Sequence, residues 1–185
     1  MCTVPQLTDL DLTGIDTVAI DLETYDPNLK SKGLGAVRKD GFVTGIAIAT
    51  KNQTLYFPIA HAMTDNLNVN DTWEYLDEKL FKNKDIRKVF HNAMYDVCWI
   101  RSAIGHMPQG QLLDTMIAAS VIDETRMRYS LDAISKDYLK ESKYKYDLAE
   151  KSLAECGIKD PMSNMHKLPY SLVKDYAEQD VNLTL

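Results

Sequence analysis

A chain of 185 residues, 45% hydrophobic and 26% charged, has the length for one domain with a real core and the composition of an ordinary globular protein. Its formal charge of −6 argues against a broad electrostatic grip on nucleic acid, though not against a small site where metal ions cancel local acid. Cys2, Cys98 and Cys156 lack metal-site or disulfide spacing, which points to a reduced, cytoplasmic compartment, and there is neither a leader-like N-terminus nor a run near the ~20 apolar residues of a membrane span.

The first predicted element is a strand over 17–24, TVAIDLET, preceded by Thr13-Gly14. Side chains two apart on a strand share a face, so Asp21 and Glu23 stand side by side, roughly 6–7 Å apart, with Val18, Ile20 and Leu22 opposite. A lone D-x-E also fits a strand end that leaves the core and lets two acids reach water. Residues 24–41, rich in Gly, Pro, Lys and Asp, read as a loop with turns at Asp26-Pro27 and Asp40-Gly41. Lys30, Lys32, Arg38, Lys39 and, beyond the next strand, Lys51 could face a polyanion, although a solvated loop is the simpler account of them. Strands follow at 42–50 and 54–59 around the turn Lys51-Asn52-Gln53, completing an antiparallel meander.

Trp73, Leu76, Leu80 and Phe81 recur at helical spacing over 71–82, with Asp71 as the expected N-cap. A short strand over 87–91 leads to a helix over 93–104, for which Asn92 is the expected cap and Asp96 suits the first turns. Leu112-Leu113 reads as a strand, then helices cover 115–123 and 130–140, and a long helix starts near 169. Asp114 reads as a structural cap for the helix that follows it. The stretch 136–146 interleaves Lys with Tyr, as single-strand binders do, but fits a helix surface and loop as well. A meander followed by β–α alternation predicts an α/β fold, a mixed sheet flanked by helices.

On the final helix, Val173, Tyr176, Ala177, Asp180 and Thr184 share one stripe, flanked by Leu172, Leu183 and Val181. Asp180 therefore lies in the face the helix should bury, where a carboxylate needs a cationic partner or a metal. With Asp21, Glu23 and Asp96 it makes a set of four acids. Such hard oxygen donors suit magnesium or manganese, and four of them could hold two ions roughly 3.5–4 Å apart for phosphodiester displacement.

D-L-E-T at 21–24, N-A-M-Y-D at 92–96 and Y-A-E-Q-D at 176–180 resemble, in order and separation, the three motifs of the DEDD exonuclease superfamily. Tyr176, four residues before Asp180, marks the DEDDy branch; the other branch would need His at position 175, which is Asp. Within that branch the chain is similar to the 3′–5′ proofreading domain of family A, phage-type DNA polymerases, from about residue 17 to the end, including 112–123 and 129–139. The resemblance implies a ribonuclease H-like fold with a five-stranded mixed sheet, and hydrolysis with two divalent ions, Mg²⁺ or Mn²⁺. It implies that Asp21 bridges both ions, that Glu23 and Asp180 hold the first, and that Asp96 helps position the second. Tyr176 would orient the attacking water, since an unperturbed phenol, pKa about 10, is too weak a base to be needed as one. Thr24, Asn92 and Tyr95 stand where the family contacts the terminal nucleotide. The implied partners are a single-stranded DNA 3′ end and, because the chain stops inside the helix of Asp180, a polymerase domain C-terminal to it. A ribonuclease D-like RNA trimmer would carry the same motifs, whereas an inert docking module should have lost one of the acids.

Overall fold

The computed structural model describes residues 3–141 and 145–185, the side chains of 145–147 excepted. Its five strands are β1 (Thr17–Tyr25), β2 (Phe42–Ala49), β3 (Thr54–Pro58), β4 (Arg87–Phe90) and β5 (Leu112–Asp114). They form one mixed sheet in the order β3-β2-β1-β4-β5, antiparallel across the meander and parallel from β1 to β4 and β5. This is the five-stranded α/β architecture expected.

The helices are α1 (Leu29–Lys32), α2 (Gly35–Arg38), α3 (Val69–Leu76), α4 (Ala93–Ile104), α5 (Thr115–Ile122), α6 (Leu131–Tyr138), α7 (Lys145–Cys156) and α8 (Tyr170–Thr184). Strand alternation divides them between two layers. Val18, Ile20 and Leu22 join Ile46, Ile48 and Phe57 under Trp73 and Leu76 of α3 and Val97 and Ile100 of α4. On the other face Ala19, Ala47 and Ala49 present a floor of small side chains to Val173, Ala177 and Val181 of α8. Because those alanines are fully buried, α8 lies close against the sheet on the side that Asp21 and Glu23 face.

Several local expectations are corrected. The 24–41 stretch is not plain loop: it holds the single turns α1 and α2, tied by the Gly35 N–H on Asp26 at 2.8 Å, Asn28 on Asp40 at 2.8 Å and Arg38 on Asp40 at 3.2 Å. Too short to be stable alone, these turns exist because the ends of the segment bind each other. Arg38 is thereby used internally, and Lys51, past the other end of β2, is exposed and binds the Gly14 carbonyl at 3.3 Å. The helix expected from 71 starts at Val69, because Asn68 and not Asp71 caps it, its side chain accepting from the N–H groups of Asn70 and Asp71. It ends in one π turn, Asp77–Phe81, which buries Leu80 and Phe81 together. Lys88 of β4 is buried, and its ammonium ties two loops by donating to the carbonyls of Asn83 and, at 2.7 Å, Gln109.

Cys98 and Cys156 are free thiols, and Cys2 lies outside the described residues. Of the Lys/Tyr stretch, residues 142–144 and the side chains of Lys145 and Tyr146 also lie outside them. No helix among the described residues is long and apolar enough to cross a membrane.

Candidate active site

Asp21 and Glu23 are set by β1, whose pairing with Ala47 and Gly45 of β2 sends both side chains toward α8. Immediately after Glu23 the register slips: Thr24 pairs with Val43, leaving Thr44 as the extra residue of a β-bulge. The bulge bends β2 and increases the local twist where it runs beside the end of β1. β4 pairs with β1 only through Ala19, so the strand outruns its neighbour. The N–H of Leu22, beyond that limit, is taken by the Asp96 carboxylate of α4 at 3.2 Å. Asp96 is thus held beside the part of β1 that extends past β4, 3% exposed, by a bond that fixes it against that strand.

α8 supplies the other two groups. Asp180 is 5% exposed and Tyr176 is 7% exposed, on the buried stripe that periodicity assigned them. The Tyr176 hydroxyl donates to the Met162 thioether at 3.7 Å.

The charges show that these residues form one electrostatic unit. Burial, then the charge of Asp21 and more weakly that of Glu23, raise the Asp96 carboxyl well above the usual range, against the Leu22 N–H. Burial also raises the Tyr176 hydroxyl, and after it the charges of Asp180, Glu23 and Asp21, in that order. Acids from β1, α4 and α8 therefore act on one another across one small volume. Their chemistry fits hard divalent cations: oxygen donors only, with mutual repulsion that a cation would relieve. Among the described residues no three acid, His or Cys side chains converge to ligating distance.

Beside this group, Thr24 Oγ1 and the Tyr95 hydroxyl bond to each other at 2.6 Å, so β1 and α4 are joined twice. Both line a 390 Å³ cleft with Tyr25, Lys30 and Ser31 on one wall and Met162 and Ser163 on another. A larger hollow of 490 Å³ between α7 and α8 presents Glu141, Asp175 and Glu178 beside Lys151, a poor seat for a polyanion. Lys30 is one of the basic residues that the sequence offered to a polyanion, whereas Met162 is a contribution that sequence reasoning did not single out. The loop carrying Met162 reaches Tyr176 through the fold, with no local signal to announce it.

Asn92 behaves differently from the cap expected of it. It sits at φ 68°, exposed, and its side chain makes no capping bond. The work falls to Asp114, whose carboxylate accepts from the N–H groups of Asn92 at 3.1 Å and Ala93 at 2.8 Å, and from Met116 at 2.9 Å and Ile117 at 3.4 Å. One side chain thus caps α4 and α5 together, as the structural reading of Asp114 anticipated for α5. Asp114→Ala should destabilise the protein by about 2–3 kcal/mol, two capping losses at once. A urea midpoint shift measures this, and a loss under 0.5 kcal/mol, about the smallest loss of a single cap, would contradict it.

The 3′–5′ exonuclease family matches residues 8–185. A DNA-directed DNA polymerase of Pseudomonas phage M6 is 33% identical over 177 residues, covering 93% of this chain and 26% of the relative. DNA polymerase DpoZ of Salmonella phage PMBT28 is 30% identical over 178 residues, 94% of this chain and again 26% of the relative. The chain therefore spans about a quarter of the length of these polymerases. Among solved structures, RNase D of Trypanosoma brucei in complex with GMP superposes with a TM-score of 0.71 at 18% identity, over 96% of this chain and 50% of that one. NrnC of Brucella melitensis with bound Mg²⁺ gives 0.62 at 23% identity, over 95% and 71%. At such identities the likeness establishes the fold.

Proposed function

The chain belongs to the 3′–5′ exonuclease family, and on that premise we propose that it removes nucleoside 5′-monophosphates from DNA 3′ ends as the proofreading part of a phage-type DNA polymerase. The observation that carries this reading is the placement of Asp96, bonded to the Leu22 N–H between Asp21 and Glu23, beside a buried α8 stripe with Tyr176 and Asp180 against the same strand, and their mutual electrostatic effects support it. The 26% coverage of the phage polymerases supports a separate polymerase module working on the same DNA.

In this reading Asp21, Glu23 and Asp180 would hold one divalent ion, and Asp21 with Asp96 would serve a second, Mg²⁺ or Mn²⁺. When bound, such ions supply charge neutralisation and water activation for in-line phosphodiester displacement. The protein's own groups do the rest. Thr24 and Tyr95 offer hydroxyls to the terminal nucleotide in the 390 Å³ cleft, and Lys30 offers a cation to its phosphates. Asn92, exposed at the mouth of α4, would meet the substrate through its side chain. Tyr176 keeps its proton: with its acidity suppressed by burial and three carboxylates, it orients a water by hydrogen bonding and does not act as a base.

Tyr176→Phe should therefore lower the rate roughly 10- to 100-fold, as loss of a positioned donor does. Its pH–rate profile should run parallel to wild type between about pH 6 and 9, because the hydroxyl does not titrate there. A profile that changes slope in the variant would make the phenol a proton acceptor instead.

The reading itself is tested on a 5′-labelled single-stranded DNA oligonucleotide and its RNA counterpart, with Mg²⁺, Mn²⁺ or chelator. A metal-dependent ladder of shortening DNA is expected. Faster loss of the RNA would make the chain a ribonuclease D-like trimmer, and cleavage of neither would overturn the exonuclease assignment for this chain alone.

A further inference from the structure

Behind the carboxylates, on the sheet face under α8, runs a buried line of polar groups that the mechanism above does not use. Tyr56 of β3 is fully buried and stands in a cross-strand row with Ala47 and Asp21. Its ring leans along β2 over Gly45, the residue paired with Glu23, where a Cβ would come within 2.0 Å of the Tyr56 hydroxyl oxygen. The hydroxyl occupies space that any other residue at 45 would fill. From there it bonds to His61 Nε2 at 2.6 Å, and His61 Nδ1 bonds to the Leu168 carbonyl at 3.0 Å.

The proton positions follow. A carbonyl only accepts, so Nδ1 carries the hydrogen; burial lowers the His61 pKa to about 4, so the ring is neutral and Nε2 accepts from Tyr56. The backbone of His61 is itself fixed, its N–H on Asn66 Oδ1 at 2.8 Å and its carbonyl on Asn66 Nδ2 at 2.8 Å. Leu168 precedes Pro169, the N-cap of α8, and Tyr170 at the helix start stacks on Tyr56 with centroids 6.1 Å apart and planes 10° apart. The Glu23 side of the sheet is thereby connected, bond by bond, to the start of the helix that bears Tyr176 and Asp180.

We propose that Tyr56 and His61 are positioning residues for the reaction: they pin the start of α8 over the Glu23 end of β1 and so hold Tyr176 and Asp180 in register with Asp21 and Glu23. The proposal rests on the exonuclease reading. From Tyr170 to Tyr176 is six residues, about 9 Å of helix. A rigid element pinned at one end passes small displacements to the other, and a 1 Å error at reacting groups can cost a hundredfold. A pair that merely satisfied buried atoms would matter to stability and not to turnover, and that difference decides the matter.

Tyr56→Phe keeps the ring and its stacking on Tyr170 while removing the bond to His61. On the single-stranded DNA oligonucleotide it should lower kcat about tenfold with KM within about twofold. In a Tyr176→Phe background the same change should cost less than about twofold, since part of what it positions is already gone. Amide hydrogen exchange at residues 172–174 should quicken about tenfold while β1 stays protected. Gly45→Ala, which displaces the hydroxyl instead of deleting it, should reproduce the kcat loss and the exchange pattern. Unchanged exchange at 172–174 in both variants overturns the pinning whatever the activity. A full tenfold loss in the Tyr176→Phe background overturns the positioning role. If the wild-type chain cleaves nothing, the exonuclease reading falls, and exchange alone still upholds or overturns the pinning.

Discussion

Asp21→Ala is expected to slow metal-dependent shortening of a 5′-labelled oligonucleotide at least about a thousandfold, on the order of 4 kcal/mol in the barrier. Asp21 and Glu23 both raise the carboxyl of Asp96 on α4 and the hydroxyl of Tyr176 on α8, and Asp21 is the stronger of the two on Asp96. In the proposed reading Asp21 is the acid that would serve both ions. The fold should survive the change. The Asp21 backbone still pairs with Ala47, its side chain is only half-buried, and its removal takes one charge out of a repelling group. The melting temperature should therefore stay or rise while turnover collapses, the opposite of a loss caused by misfolding. Asp16→Ala makes the control: that acid is exposed, pairs with Arg87 at 3.4 Å and accepts from the Thr17 hydroxyl at 3.0 Å, both at the surface, so its removal should change the rate less than about twofold. Single-turnover rates of the two variants give the comparison. Retention of a tenth of wild-type activity by Asp21→Ala would remove it from the reaction.

The two most legible elements were those with an anomaly against a clear period. β1 alternates, so Asp21 and Glu23 had to share a face, and the buried stripe of α8 contains one carboxylate that burial alone cannot justify. Both readings used only side-chain periodicity and the cost of buried charge, which do not depend on the rest of the fold. The misreadings occurred where local groups compete on nearly equal terms. Asn68 and Asp71 are both good caps three residues apart, and only the geometry of the preceding turn decides for Asn68. Asn92 has the right residue type before α4, but at φ 68° its side chain cannot reach the helix, and Asp114, 22 residues on, does so instead. α1 and α2 depend on Asp26 and Asp40, and α7, not assigned from the sequence, buries only Leu148 and Ser152 among its described side chains. The Met162 contact and the Tyr56–His61 line join segments 14 to 107 residues apart or reach across Gly45, distances over which no period operates.

The second large effect concerns stability, and its sign runs against intuition. Asp96 is 3% exposed, and burial together with Asp21 and Glu23 raises its carboxyl well above the usual value near 3.8. A folded-state pKa above the unfolded one means that the stabilisation is complete below about pH 4 and is lost as pH climbs through the folded value. In chelator, Asp96 should therefore cost the wild-type protein stability as pH rises from about 4 toward 8, against the opposite slope of His61, whose pKa burial lowers to about 4. Asp96→Asn keeps the acceptor for the Leu22 N–H and removes the ionisation. The variant should be more stable than wild type at pH 8 without metal, by on the order of 1–2 kcal/mol, and equal to it near pH 4. The carboxyl of Glu178 is also raised, by burial, and contributes the same slope to both proteins, so the difference between them isolates Asp96. Added Mg²⁺ should reverse the order, because a ligand that binds only the folded state stabilises in proportion to its affinity and the variant has lost one donor. Exonuclease activity should fall with it, about a hundredfold or more. Urea midpoints at pH 4 and pH 8, with chelator and with Mg²⁺, give the four comparisons. An Asn variant less stable than wild type in chelator at pH 8 would mean that Asp96 is already compensated by a partner inside the protein, and the case for a cation at this site would fall with it.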